Sequence, residues 1–367
     1  LDMYLTQHPV DYGQNLKERL DKMKAPEDDI SDKMYRNNGD NTFTNVTDIA
    51  GVRNYGHGLG LVIWDINEDG WDDIYVGNDY QSADYVYINN QNGTFTDRMK
   101  EYFPHIPYYS MGVDVADIDN DGLLDMNVVE MLPENYHRMI LNVSDLSEQN
   151  YYVFEEVGFH HQYTRNCMFR NNGGKTFSDV AYMAGVEATD WSWSSLFGDY
   201  DNDGKQDLFV SNGYLRDMQD KDYIKRSKYI RAAGGRMTKE TFDTVTVSQK
   251  LRNYLYMNQG NLKFKNRAKS GGLEDVLFSS GAAHADLDND GDLDLIVNNS
   301  NLQLSPDPAI VYENIVNSPK KSIRFDFEGP KGNRDGEGVR IIAQNGEEHF
   351  IQELRRTRGF ISSMDKS

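Results

Sequence analysis

A single cysteine, Cys167, excludes an internal disulfide and any thiolate metal cage. It sits in the strand-like run Cys-Met-Phe-Arg and is expected to pack as a small hydrophobe. No long apolar run is present, so this segment holds no membrane-spanning helix. Basic residues are scarce beside acidic ones: 38 Lys and Arg against 59 Asp and Glu, a formal charge of −21. Nucleic acid and anionic membranes are poor partners for such a chain. Proline is sparse as well, with 9 residues in 367.

The acidic residues are not scattered. A nine-residue stretch, Asp-x-Asp-x-Asp-Gly-x-x-Asp, occurs four times, over residues 65–73, 117–125, 199–207 and 286–294. Oxygen-bearing side chains stand at positions 1, 3, 5 and 9: Asp65, Asn67, Asp69 and Asp73; Asp117, Asp119, Asp121 and Asp125; Asp199, Asp201, Asp203 and Asp207; Asp286, Asp288, Asp290 and Asp294. Position 7 (Trp71, Leu123, Lys205, Asp292) offers a backbone carbonyl, and position 6 is Gly each time. Hard cations take six to eight oxygens, and Ca²⁺ is the expected ion, about four in all with a structural role. Fifteen carboxylates crowded into four short loops would repel one another without a cation. Four doubly charged ions would bring the formal charge of −21 to −13. Asn67 replaces a carboxylate, so the first loop is expected to bind most weakly.

An EF-hand loop begins the same way but requires a bidentate Glu at position 12. Here position 12 is Val76, Val128, Val210 and Val297. The runs after each loop are short, β-branched and aromatic, so strands follow rather than helices.

A second motif accompanies the loops: an aromatic, any residue, Asn, a Gly-rich turn, then Phe. It reads Tyr35 to Phe43, Tyr87 to Phe95, Phe169 to Phe177 and Tyr256 to Phe264, always 8 residues apart. From its aromatic to the next Asp loop is 30 residues each time. Such fixed periodicity marks a repeat architecture. Each unit reads as four short strands, for example Leu61–Trp64, Ile74–Gly77, Tyr85–Asn89 and Thr94–Arg98. Four antiparallel strands in about 50 residues make a β-propeller blade, and the fold class is all-β. A linear β-solenoid has shorter repeats. Gly60, Gly112, Ser194 and Gly281, five residues ahead of each loop, suit innermost strands crowded at an axis.

Length varies at one place only. From loop position 1 to the next aromatic is 22, 52, 57 and 26 residues, so large insertions fall between second and third strands, at 131–165 and 213–253. Residues 220–233 read as an amphipathic helix through Tyr223, Ile224, Tyr229 and Ile230, and 14–24 reads as another. Asp2 matches position 9 of a loop lying upstream, which makes the chain a segment of a longer propeller and residues 5–34 a third insertion. The repeat runs over 1–317, and 318–367 reads as a separate small β module.

These motifs resemble the FG-GAP/VCBS repeats of integrin α-subunit-like propellers. The stretch from Gly329 to Arg340, with Arg358-Gly359-Phe360, is similar to the start of an ASPIC/UnbV module. The pairing resembles the cartilage acidic protein family and its bacterial secreted relatives. The resemblance implies about seven blades, an extracellular or cell-envelope location, and adhesion or binding of a protein or glycan ligand.

Because strands alternate in direction, metal loops and insertions are expected on opposite faces. Eight residues ahead of each loop stand His57, Tyr109, Trp191 and Phe278, a candidate ring of ligand-facing groups, with packing between blades as the competing reading. Catalytic constellations are weak. His160-His161 beside Glu155-Glu156 point apart in extended chain, and Ser192 and Ser194 show no nucleophile elbow. The chain therefore reads as non-enzymatic, with a polysaccharide lyase or glycoside hydrolase as the alternative.

Overall fold

In the computed structural model the described residues are 1–8, 31–79, 82–142, 152, 154, 156, 158–301, 307–316, 322–346 and 348–365. The expected helix at 14–24 and Glu155 lie outside them. The chain is all-β with a few short helices. Three four-stranded sheets follow one another: His57–Trp64 to Phe95–Asp97, Val113–Ala116 to Phe177–Asp179, and Ser192–Gly198 to Phe264–Asn266. A three-stranded sheet precedes them (Met3–Leu5, Lys33–Asn37, Phe43–Asn45), and another follows (Ser279–Ala285, Asp294–Asn299, Ile310–Tyr312). We number these five sheets blades 1 to 5. Within every blade, neighbouring strands are sequential and antiparallel. First strands of successive blades lie side by side, 57–64 against 113–116, then 192–198, then 279–285. This is propeller order.

The core lies between blades rather than in one centre. Blades 2 and 3 enclose Trp64, Tyr75, Val115, Met126 and Phe169. Blades 3 and 4 enclose Met168, Phe197, Leu208 and Val210, and blades 4 and 5 enclose Leu196, Phe209, Leu295 and Val297. Alternate residues of one strand serve opposite clusters: Ile74 and Val76 face blade 1, while Tyr75 faces blade 3. That is why the second strands are apolar through most of their middle, since both of their faces are buried. Cys167 is buried in this packing, as expected of a small hydrophobe.

A polar clasp recurs at the loop end of every blade. The position 9 carboxylate accepts the backbone N–H of the motif asparagine: Asn89 to Asp73 at 2.7 Å, Asn171 to Asp125 at 2.7 Å, Asn258 to Asp207 at 2.8 Å and Asn314 to Asp294 at 2.8 Å. Asn37 donates in the same way to Asp2 at 2.9 Å. The other carboxylate oxygen of Asp73, Asp125, Asp207 and Asp294 accepts from the N–H of loop position 2. The asparagine amide reaches back to the carbonyl of loop position 8, as Asn89 does to Asp72 and Asn258 to Gln206.

The opposite end carries a clasp of its own. Three residues before each motif aromatic, an Asp or Asn accepts the N–H of the residue that leaves the second strand. The pairs are Asn78 to Asp84 at 2.8 Å, Glu130 to Asn166 at 2.7 Å, Asn212 to Asn253 at 2.8 Å and Gln7 to Asp32 at 2.7 Å. These bonds close the neck of each insertion. Above the necks lie the helix Tyr136–Asn142 in one insertion and Lys221–Ala232 and Lys239–Val245 in the other. Asp220 caps the second helix by accepting from the N–H of Tyr223. Its apolar residues stay largely at the surface: Ser227 is its buried residue, and Ile224 and Tyr229 are exposed. Arg138 joins the two insertions, pairing with Asp190 and Asp217 at 2.8 and 2.9 Å.

Residues 322–365 cover the loop face and enter the axis. The hairpin Arg340–Asn345 with Glu348–Glu353 lies over the loops, where Arg340 reaches Glu68 at 2.8 Å and the carbonyl of Gly122 at 2.6 Å. A smaller hairpin, Thr357–Arg358 with Ser362–Ser363, then runs between the innermost strands. Gly359 bridges Val113, Phe360 packs on Trp193, and the Phe360 N–H donates to Ser194. Arg358 is half-buried, with a bidentate pair to Asp114 at 2.8 and 2.6 Å. Burial opposes its charge, and Asp114 outweighs that. Gly60, Gly112 and Gly281 are needed here: a Cβ on Gly112 would stand 2.0 Å from the Trp193 carbonyl oxygen, and on Gly281 3.0 Å from that of Phe360.

Two predictions follow from the clasps. Asn258→Ala strands the buried carbonyls of Ile118 and Gln206, at a cost of about 3 kcal/mol. Urea unfolding measures it, and a loss under about 1 kcal/mol would show that these bonds are replaceable. Burial raises the Glu130 carboxyl to about 8, above its unfolded value. The group therefore stabilises the fold at low pH and loses that contribution as pH rises through about 8. Glu130→Gln should flatten the fall in melting temperature between about pH 4.5 and 8.

Candidate functional site

Each Asp loop is a cage of backbone N–H groups around carboxylates. The position 1 carboxylate accepts from the N–H groups of positions 5 and 6: Asp65 from Asp69 and Gly70 at 2.9 and 2.7 Å, and Asp199 from Asp203 and Gly204 at 2.8 Å each. Asp117 and Asp286 do the same. The position 5 carboxylate accepts from position 7, as Asp69 does from Trp71, Asp121 from Leu123, Asp203 from Lys205 and Asp290 from Asp292. Gly at position 6 is required by φ of 88°, 94°, 87° and 96°. Position 4 is left-handed too, and Asn120, Asn202 and Asn289 fill it in three loops, with Glu68 in the first. Asn tolerates that conformation better than most side chains.

The turns bring oxygens together. Carboxylate oxygens of Asp117, Asp119 and Asp125 lie within 4.8 Å of one another, as do those of Asp199, Asp201 and Asp203, and those of Asp286, Asp288 and Asp290. An all-oxygen donor set of this kind suits a hard divalent cation. Burial is the largest cause of raised carboxyl values here, with neighbouring carboxylates adding to it. Asp117 is pushed to about 6, Asp73 to about 7 and Asp207 to about 8.

Two features of the loops were not foreseen. Arg170 inserts between Asp119 and Asp121, at 2.6 and 2.7 Å, so the second loop already has a cation within it. Arg170 stands between the motif aromatic and Asn171, where the other blades carry Arg36, Ile88, Met257 and Glu313; an Arg also fills this position in blade 1, so the motif alone did not signal the pairing. Second, two of the position 6 glycines, Gly122 and Gly204, face the C-terminal hairpin. A Cβ on Gly204 would meet the Phe350 ring at 2.7 Å, and Gly122 lies against Ile351.

The four rings stand at the start of the innermost strands or just before them. His57 and Phe278 are buried; Tyr109 and Trp191 are half-buried. Trp191 stacks on Tyr214, centroids 4.2 Å apart and planes 7° apart. His57 lies 4.7 Å from the His8 ring, and the Lys250 ammonium lies over Phe278. The Tyr109 ring meets that of Tyr108 edge-on. His160 bonds the Phe103 carbonyl at 2.8 Å, and burial lowers its basicity. Ser192 and Ser194 are buried and hydrogen-bonded, Ser192 to Asn212 and Ser194 to the N–H of Phe360.

Residues 65–128 and 157–210 match the FG-GAP-like repeat family. The chain carries repeats of the FG-GAP β-propeller type. The matched stretches contain the first three Asp loops, and the gap between them, 129–156, takes in most of the 131–165 insertion. Among solved structures, an Agrocybe aegerita lectin, described by its specific recognition of non-reducing terminal N-acetylglucosamine, is 14% identical with a TM-score of 0.37. The likeness covers 86% of this chain and 66% of the lectin, so the chain spans less than two thirds of that protein. No curated protein matches the chain.

The glycines separate turn geometry from hairpin contact. Gly70→Ala and Gly204→Ala both place a side chain at positive φ, each at a cost of about 1 kcal/mol. Only Gly204→Ala should also speed hydrogen exchange over 340–353. Equal exchange in both variants would show that the hairpin does not depend on this contact.

Proposed function

We propose that this chain is a non-enzymatic, Ca²⁺-stabilised propeller whose insertion-bearing face binds a protein or glycan ligand. The observation that carries the reading is the division of labour between faces. Acidic loops in register occupy one face under the C-terminal hairpin, and both insertions rise from the other. Asp65, Asn67, Asp69 and Asp73, with their counterparts in the other three loops, would hold the ions, and position 7 would add a carbonyl. Bound Ca²⁺ would neutralise carboxylates that burial otherwise drives towards protonation. Extracellular-type sites bind at about 10⁻⁴–10⁻³ M, so a chain built on several of them suits an extracellular or cell-envelope setting. The ions would act as staples rather than switches. The C-terminal stretch would be the beginning of an ASPIC/UnbV-like module seated on the loop face. Tyr109 and Trp191, the half-buried members of the ring, would be the ones a ligand meets.

Calorimetric titration with Ca²⁺ should find one ion per loop, with the first loop weakened by Asn67 and the second by competition from Arg170. Arg170→Gln should tighten the second site by about tenfold or more, through the loss of the competing charge-assisted pairs to Asp119 and Asp121. Excess chelator should lower the melting temperature by mass action. An unchanged melting curve in chelator would overturn the calcium reading. A glycan and protein array probed with the Ca²⁺-loaded chain tests the binding face.

A further inference from the structure

A second feature of the insertion face has the chemistry of a defined ligand site. Beneath the exit of the 213–253 insertion, a groove of about 700 Å³ opens beside the outer strands of blade 4. That volume is in the range of ligand pockets, about 300–1,000 Å³. One wall is Arg252 and Tyr254, where the insertion rejoins the blade; another is the turn bearing Asn266, Arg267 and Lys269, which leaves it; Glu134 closes the side towards blade 3.

Arg252, Arg267 and Lys269 are exposed, and none of them makes an ion pair among the described residues. In a chain of charge −21, three such cations around one groove, against the single carboxylate of Glu134, form a local reversal of sign. Glu134 is already engaged, accepting from the Tyr254 hydroxyl at 2.9 Å. That bond and the parallel Tyr256 ring, 5.5 Å away at 6°, fix the half-buried Tyr254 ring as a flat platform. The turn is equally fixed: Asn266 accepts from the Ala268 N–H, and the Gly271 N–H donates to the Arg267 carbonyl. The cations are thus mounted on ordered backbone.

We propose that this groove binds an acidic saccharide, a short sugar bearing carboxylate or sulfate groups. The inference rests on the reading of the insertion face as the binding face and names one site and one ligand class on it. An aromatic ring receives the apolar face of a pyranose. Arginine forks pair with carboxylate or sulfate bidentately. A long polyanion is disfavoured, because beyond the groove it would meet the acidic remainder of the surface.

The test uses the full chain with Ca²⁺ present. Tetragalacturonate, its methyl ester and a sulfated galactose disaccharide are titrated calorimetrically into the wild type and into Arg252→Gln/Arg267→Gln. Both substituted side chains are exposed, and an unchanged melting temperature verifies the fold. At least one charged sugar should bind and weaken with added salt, whereas the ester should not bind. The double variant should lose about tenfold or more in affinity. Whether uronate or sulfate binds better identifies the preferred acid. Equal binding of acid and ester overturns the charge requirement. Undiminished binding by the double variant overturns the location and leaves the face-level reading standing. Binding of an acidic peptide with none of the sugars overturns the saccharide class. The face-level reading fails separately, if the chain also binds nothing on the glycan and protein array.

Discussion

Blades 2 to 5 are each fastened by a buried aspartate that accepts two backbone N–H groups. Asp73, Asp125, Asp207 and Asp294 each hold the start of their own loop with one oxygen and the third strand with the other. A β-strand pairs through its backbone, but at the end of a ladder those groups have no partners and would be costly to bury. The carboxylate supplies the acceptors, and the asparagine beside the aromatic completes the exchange. In the second loop the same aspartate, Asp125, also lies within the carboxylate cluster of Asp117 and Asp119, so the clasp and the cluster share one residue. Neither can be altered alone.

The second clasp explains where the chain tolerates insertion. Asp84, Asn166 and Asn253 tie the start of the third strand to the end of the second whether few residues or many intervene. With the neck closed by a side chain, extra length costs only slowly growing loop entropy. The insertions then support one another through Arg138, whose guanidinium is held by carboxylates from two different connections. Removing either partner would strand a buried charge, so this network binds the two insertions into one surface.

At the axis, small residues leave a gap that the tail fills. Gly112 and Gly281 crowd backbone, and Arg358 enters with a charge that only Asp114 compensates. The hairpin before it closes over the acidic loops through Arg340, Phe350 and Ile351. Part of the loop face is thereby covered by the chain itself.

The repeat was legible in the sequence because each of its elements has a local cause. Loop glycines need positive φ, strands need alternating burial, and the motif asparagine sits at a fixed distance from its aspartate along the chain. The strand Tyr85–Asn89 and the helix Lys221–Ala232 were readable for that reason. The Asp or Asn three residues before each aromatic was equally periodic, but its role lay in an N–H whose sequence distance changes with every insertion. What spacing cannot carry was decided by tertiary structure. Arg170 enters a loop 49 residues earlier to reach Asp121, and Arg358 finds Asp114 across 244 residues. His57 and Phe278 look like a surface ring in register and are buried by their neighbours. The sequence alone determined the repeated unit, since its forces act within a few strands. The packing of blades, tail and insertions around the axis decided which charges meet and which rings are buried, because those contacts depend on distances in space that no spacing along the chain encodes.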